Sequence, residues 1–122
     1  MRRALASLAV PILLGCGTTG PAPLADLSGS WATFQVESST TLSLVQQGSA
    51  VVGSGQFYRF INPPTGTLTV SGTVQHAQVS LTFVYSTGVT THFAGALTDP
   101  LHLVGVETYP GGTTDSLAFA RR

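Results

Sequence analysis

Residues 66–85 read Gly-Thr-Leu-Thr-Val-Ser-Gly-Thr-Val-Gln-His-Ala-Gln-Val-Ser-Leu-Thr-Phe-Val-Tyr. Leu68 and Val70 share one parity, while Thr67, Thr69 and Ser71 hold the other. Beyond Gln75-His76 the rhythm resumes, with Val79, Leu81 and Phe83 set against Gln78, Ser80 and Thr82. Successive side chains leave a strand on opposite sides, so strict alternation marks a strand with one buried and one wet face. Two such runs across a short break predict an antiparallel hairpin.

The same period extends in both directions. It predicts strands over roughly 30–37, 41–47, 50–60, 66–74, 77–85, 89–97, 101–109 and 114–121. The separators are Ser38-Ser39, Gly48-Ser49, Asn62-Pro63-Pro64-Thr65, Gln75-His76, Ser86-Thr87-Gly88, Thr98-Asp99-Pro100 and Pro110-Gly111-Gly112. Nearly all are residues that accept turn geometry, and Gln75-His76 is the poorest of them. Links this short suit an up-and-down meander, because a parallel crossover needs a dozen residues or more. Leu42/Leu44, Phe93/Leu97, Leu101/Leu103 and Leu117/Phe119 continue the apolar face. A meander with one apolar face hides it most completely by closing into a barrel, which also removes both sheet edges. Val70-Ser71-Gly72, Phe93-Ala94-Gly95, Leu103-Val104-Gly105 and Val51-Val52-Gly53 place glycine on the inward parity, where it permits tight coiling. The expected fold is therefore all-β, an antiparallel up-and-down eight-stranded small barrel, with a β-sandwich as the rival. The inward set, including Phe57, Phe83 and Phe119, is expected to fill a barrel of this width with side chains.

Composition narrows the function classes. The chain has 122 residues, 43% hydrophobic and 8% charged, with a formal net charge of zero. That length suits one domain. Zero net charge supplies no basic field for nucleic acid. No apolar run reaches the roughly 20 residues of a membrane-spanning helix. The abundance of β-branched residues and the low charge argue against disorder.

The N-terminus carries an address. Met1-Arg2-Arg3 precedes an apolar run from Ala4 to Leu14, the layout of a secretory signal peptide. Leu13-Leu14-Gly15-Cys16 resembles the bacterial lipobox, which is cut between Gly15 and Cys16 so that the cysteine becomes a lipidated N-terminus. Cys16 is the only cysteine, so no intramolecular disulfide accounts for it. The resemblance implies two or three acyl chains, enough for firm anchoring where one chain binds only marginally. It also implies outer-membrane delivery, since Gly17 stands where an Asp would favour inner-membrane retention. The expected organisation is a signal peptide over 1–15, a lipidated N-terminus and tether over 16–28, and the barrel over 29–122. The mature chain would carry Arg59, Arg121 and Arg122 against five acids, a net of −2. The expected location is exported, lipid-anchored, and facing periplasm or cell surface.

Leu27-Ser28-Gly29-Ser30-Trp31 resembles the Gly-x-Trp opening of the lipocalins and their calycin relatives, avidins included. The resemblance covers about five residues together with strand number and order. It implies that Trp31 plugs one end of an eight-stranded barrel. A second Trp, a disulfide and a terminal helix pattern are missing from this chain, so no ligand identity carries over.

A search for catalytic chemistry yields little. His76, His92 and His102 never fall within four residues of one another, which is poor metal-ligand spacing. Adjacent strands are the one route by which His92 and His102 would meet, and both read as surface residues. The acids Asp26, Glu37, Asp99, Glu107 and Asp115 are scattered; Glu107 and Asp115 read as solubilising residues at the rim of the last hairpin. No Gly-x-Ser-x-Gly elbow occurs, and Val52-Gly53-Ser54-Gly55-Gln56 lacks the helix and Lys of a phosphate loop. No enzyme activity, cofactor or metal is expected. The most distinctive stretch is Phe57-Tyr58-Arg59-Phe60-Ile61-Asn62-Pro63-Pro64, in which Tyr58, Arg59, Phe60 and Asn62 form a candidate binding surface, because aromatic and Arg clusters are over-represented at hot spots. Arg121-Arg122 reads as a solvated end.

Three functions fit. The leading expectation is a lipid-anchored envelope protein whose barrel is a non-catalytic interaction or structural module. The others are a calycin-type carrier of a small apolar ligand and an envelope inhibitor lipoprotein. The expected partners are the membrane, through the lipid, and either an envelope protein or a small apolar ligand, with no nucleic acid. Replacing Cys16→Ser should abolish incorporation of labelled fatty acid and release the protein from membranes under alkaline wash. Retention and labelling equal to wild type would eliminate the anchor.

Overall fold

The computed structural model describes residues 25–35, 38–59 and 65–122. Among these, eight strands form a closed antiparallel barrel: β1 (Gly29–Phe34), β2 (Ser38–Gln47), β3 (Ala50–Arg59), β4 (Gly66–Gln75), β5 (Gln78–Tyr85), β6 (Thr90–Asp99), β7 (His102–Thr108) and β8 (Thr114–Arg121). Each strand pairs with the next, and β8 returns to β1 through Trp31–Arg121 and Ala32–Ala120. The barrel, not the sandwich, is the fold. Several boundaries differ from the sequence reading, with β4 running to Gln75 and β6 to Asp99. Ser38 and Ser39 belong to β2, opposite Arg59 and Tyr58, so the first turn lies earlier. Leu101 is exposed in the β6–β7 turn rather than inward, because a register shift between Leu97 and Asp99 absorbs one residue of the alternation. The turn after Gln75 is made by His76 at φ 56°, the only non-glycine with positive φ among the described residues.

The inward parity packs as the alternation requires. Trp31, Leu44, Leu68, Leu81, Phe83, Phe93, Leu103 and Phe119 are essentially solvent-free. Phe83, Phe93 and Phe119 meet at centroid separations of 5.8–6.5 Å, with Phe119 edge-on to both partners, geometries that favour aromatic pairs. Gly95 and Gly105 face each other across β6 and β7. A Cβ on either would come within 2.8 Å of the Phe93 ring, so the absent side chains make the space that the ring fills.

One end of the barrel is sealed by the chain's own approach. Leu27 is fully buried in the core and Ala25 packs against it, so the packed body begins before Gly29, inside the expected tether. Gln46 ties this segment down: its amide accepts from Leu27 N–H (2.8 Å) and donates to the Ala25 carbonyl (2.7 Å). The indole N–H of Trp31 donates to the Leu27 carbonyl at 2.9 Å. Arg121 lies over the Trp31 ring, its guanidinium carbon 4.3 Å from the centroid. It donates to the carbonyls of Ser28 (2.6 Å), Asp26 (2.7 Å) and Pro100 (3.0 Å). Gly29, at φ 127°, passes beneath this side chain where a Cβ would meet Nη1 at 3.2 Å. Arg121 is therefore a latch and not a solvated end.

Truncating a large buried aromatic typically removes 3–5 kcal/mol, and Trp31→Ala should lower stability by about that amount. Arg121→Ala should remove about 2 kcal/mol, because charge-assisted hydrogen bonds and a stacked cation are lost together. Chemical denaturation checks both. An Arg121→Ala midpoint equal to wild type would mean that the latch adds nothing to the seam.

Candidate functional site

The opposite end is not filled. A cavity of about 350 Å³ lies there, with Phe57, Phe83, Leu117 and Phe119 among its apolar lining residues and Arg59, Tyr85, Glu107 and Tyr109 among its polar ones, which also include Gln35, Ser38, Thr40 and Thr87. The expectation of a side-chain-filled interior therefore holds for the Trp31 half and fails for this half. Phe57, Phe83, Tyr85, Tyr109 and Phe119 stand around this end without filling it.

Glu107 is the unexpected member. It is 2% exposed, not a rim residue as its place near the last hairpin suggested. Its Oε2 accepts hydrogen bonds from the Tyr85 hydroxyl (2.6 Å) and the Thr91 hydroxyl (2.5 Å). Its Oε1 accepts a longer one from the Tyr109 hydroxyl (3.3 Å). These donors come from β5, from β6 and from just beyond β7. The signal was present in the alternation, since Leu103 and Gly105 lead to Glu107 on one parity, and Leu81 and Phe83 lead to Tyr85. Asp115 pairs with Glu107 across β7 and β8 but stays exposed.

The carboxylate and burial act together on the phenols. Burial foremost, then the hydrogen bond to Glu107 and its charge, pushes Tyr85 far above the ordinary tyrosine range. Tyr109 is pushed up to about 12, by burial first and then by the charges of Glu107 and Asp115, with Arg59 opposing. Phe57 packs edge-on to Tyr85 at 5.3 Å, which fixes that ring against the cavity.

The expected binding stretch is split. Arg59 lines the cavity, whereas Tyr58 lies on the outer parity and is half-exposed. Phe60 and Asn62 lie outside the described residues, as do Gly15 and Cys16. His92 and His102 are not brought together: His92 pairs opposite Thr108 and His102 opposite Asp99, at the two ends of one ladder. His92 shares a hydrogen bond with Thr82 (3.3 Å). The His102 ring Nδ1 meets the Asp99 carboxylate at 2.9 Å in a half-exposed contact, one of small energetic weight. The Leu101 N–H and the His102 ring hold the Asp99 carboxyl below its usual range.

Fold and site together define a closed eight-stranded antiparallel barrel, sealed at one end and hollow at the other. Compared with protein families and with curated proteins, the chain matches none. Among solved structures it is similar to a redesigned beta barrel, with a TM-score of 0.60 and 12% identity over 79% of this chain and 90% of that one. At that identity the likeness speaks to fold alone.

Both phenols ionise later in the folded chain than in the unfolded chain, where tyrosine titrates near pH 10. Above that pH the unfolded chain holds fewer protons, so their contribution to stability is complete below about pH 10 and drains as pH rises toward 12. Denaturant midpoints should therefore fall through this window, and Tyr85→Phe should flatten part of the slope. A midpoint flat across the window in wild type would contradict the buried phenol–carboxylate cluster.

Proposed function

We propose that the barrel binds a small, mostly apolar ligand in the cavity beside Glu107, and that the protein does so as an exported lipoprotein anchored through Cys16. The cavity carries this reading. Small-molecule sites are concave, mostly apolar, and hold a few converging polar groups, and this end of the barrel meets each condition. The Gly29-x-Trp31 opening and the meander order, which resemble the calycins, support it further. The carrier is favoured over the structural module because a purely structural barrel has no use for a hollow end beside a buried carboxylate. We read the site as binding, not catalysis: the groups around Glu107 are hydroxyl donors that hold it in place, and the second acid at that end, Asp115, stands exposed.

Titrating the purified protein with N-phenylnaphthylamine, a neutral dye that brightens in apolar surroundings, tests the cavity. Wild type should enhance its emission saturably. Thr40→Trp, which places an indole in the cavity wall, should weaken binding about tenfold or more while the thermal midpoint stays near wild type. Absence of enhancement in wild type, or equal enhancement in the filled variant, would refute the carrier reading.

A further inference from the structure

Resting on that cavity, we infer that the preferred ligand is an organic ammonium: an amine whose cationic head seats on Glu107 and whose apolar body lies among the ring side chains. The first ground is the charge of Glu107. It is 2% exposed and lines the cavity, yet its hydrogen-bond partners among the described residues are three neutral hydroxyls, with no ion pair. Hydroxyl donors orient a buried carboxylate but do not neutralise it, and a buried charge without a counter-charge is strongly disfavoured. A cationic ligand supplies what the fold leaves out.

The second ground is the free acceptor capacity. An ionised carboxylate offers about four lone-pair positions. Tyr85 and Thr91 take both on Oε2, and Tyr109 takes one on Oε1 through a long bond. One position on Oε1 remains for an ammonium N–H.

The third ground is the wall. Phe57, Phe83, Tyr85, Tyr109 and Phe119 all line the cavity, and aromatic faces attract cations most strongly where water is excluded. The charged and titratable groups facing Glu107 are Arg59 from β3, Tyr85 from β5, Tyr109 after β7 and Asp115 from β8. Arg59 is the only cation among the described lining residues, and it makes no ion pair with Glu107. An acidic ligand would have to seat its head on Arg59 and leave Glu107 uncompensated; an ammonium removes that conflict.

Calorimetric titration of the purified protein with phenethylamine, phenethyl alcohol and phenylacetate compares three head groups on one body. The amine should bind about tenfold tighter than the alcohol, the scale of one charge-assisted contact, and the acid should bind weakest. Glu107→Gln, which keeps an acceptor for the hydroxyls, should bring the amine level with the alcohol. Equal binding of amine and alcohol in wild type overturns the ammonium reading while leaving the cavity intact, as does preference for the acid, which would shift recognition to Arg59. Failure of all three probes and of the neutral dye overturns the cavity reading with it. The wild-type comparison decides the matter even if Glu107→Gln folds poorly.

Discussion

The barrel closes through a short seam. β1 meets β8 at Trp31–Arg121 and Ala32–Ala120, whereas β2 and β3 pair along the whole of both strands. What strengthens the seam is the Arg121 guanidinium, which stacks on Trp31 and donates to three carbonyls, two of them more than ninety residues earlier in the chain. A cation on an indole face with three satisfied donors is rigid in a way that a lone ladder bond is not. Closure in turn spares the sheet two exposed edges. The inward packing of every other strand depends on it.

Closure at that end also determines where the hollow falls. Leu27, Trp31 and Arg121 fill the sealed end, and the Gly95–Gly105 pair draws Phe93 across the middle. Eight strands enclose a width that side chains can just fill. Phe57, Phe83, Tyr85, Tyr109 and Phe119 surround the far end without closing it, and it retains about 350 Å³.

A carboxylate in that hollow is the costly part of the design. A Leu at 107 would leave the three hydroxyls around it without this acceptor. Tyr85, Thr91 and Tyr109 belong to different elements, so their convergence on one side chain marks a site assembled across the barrel. Glu107 is the one buried charged side chain among the described residues.

The sequence by itself determined the strands, most of their faces and the meander order, because alternation and turn chemistry are local properties that each segment carries alone; closure into a barrel and not a sandwich was decided by the tertiary structure. Trp31 was legible as a core residue from its parity and its Gly-x-Trp setting. The sequence also contained, in the parity of Leu103, Gly105 and Glu107, the direction in which Glu107 points. Only the tertiary structure decided that Tyr85, Thr91 and Tyr109 lie level with it, that Arg121 reaches Trp31 and the backbone of 26–28, and that one end stays hollow. The reason is physical. Alternation says which side of a strand a residue occupies, but residues from different strands reach the same height only through register and stagger, and these are set when the barrel closes.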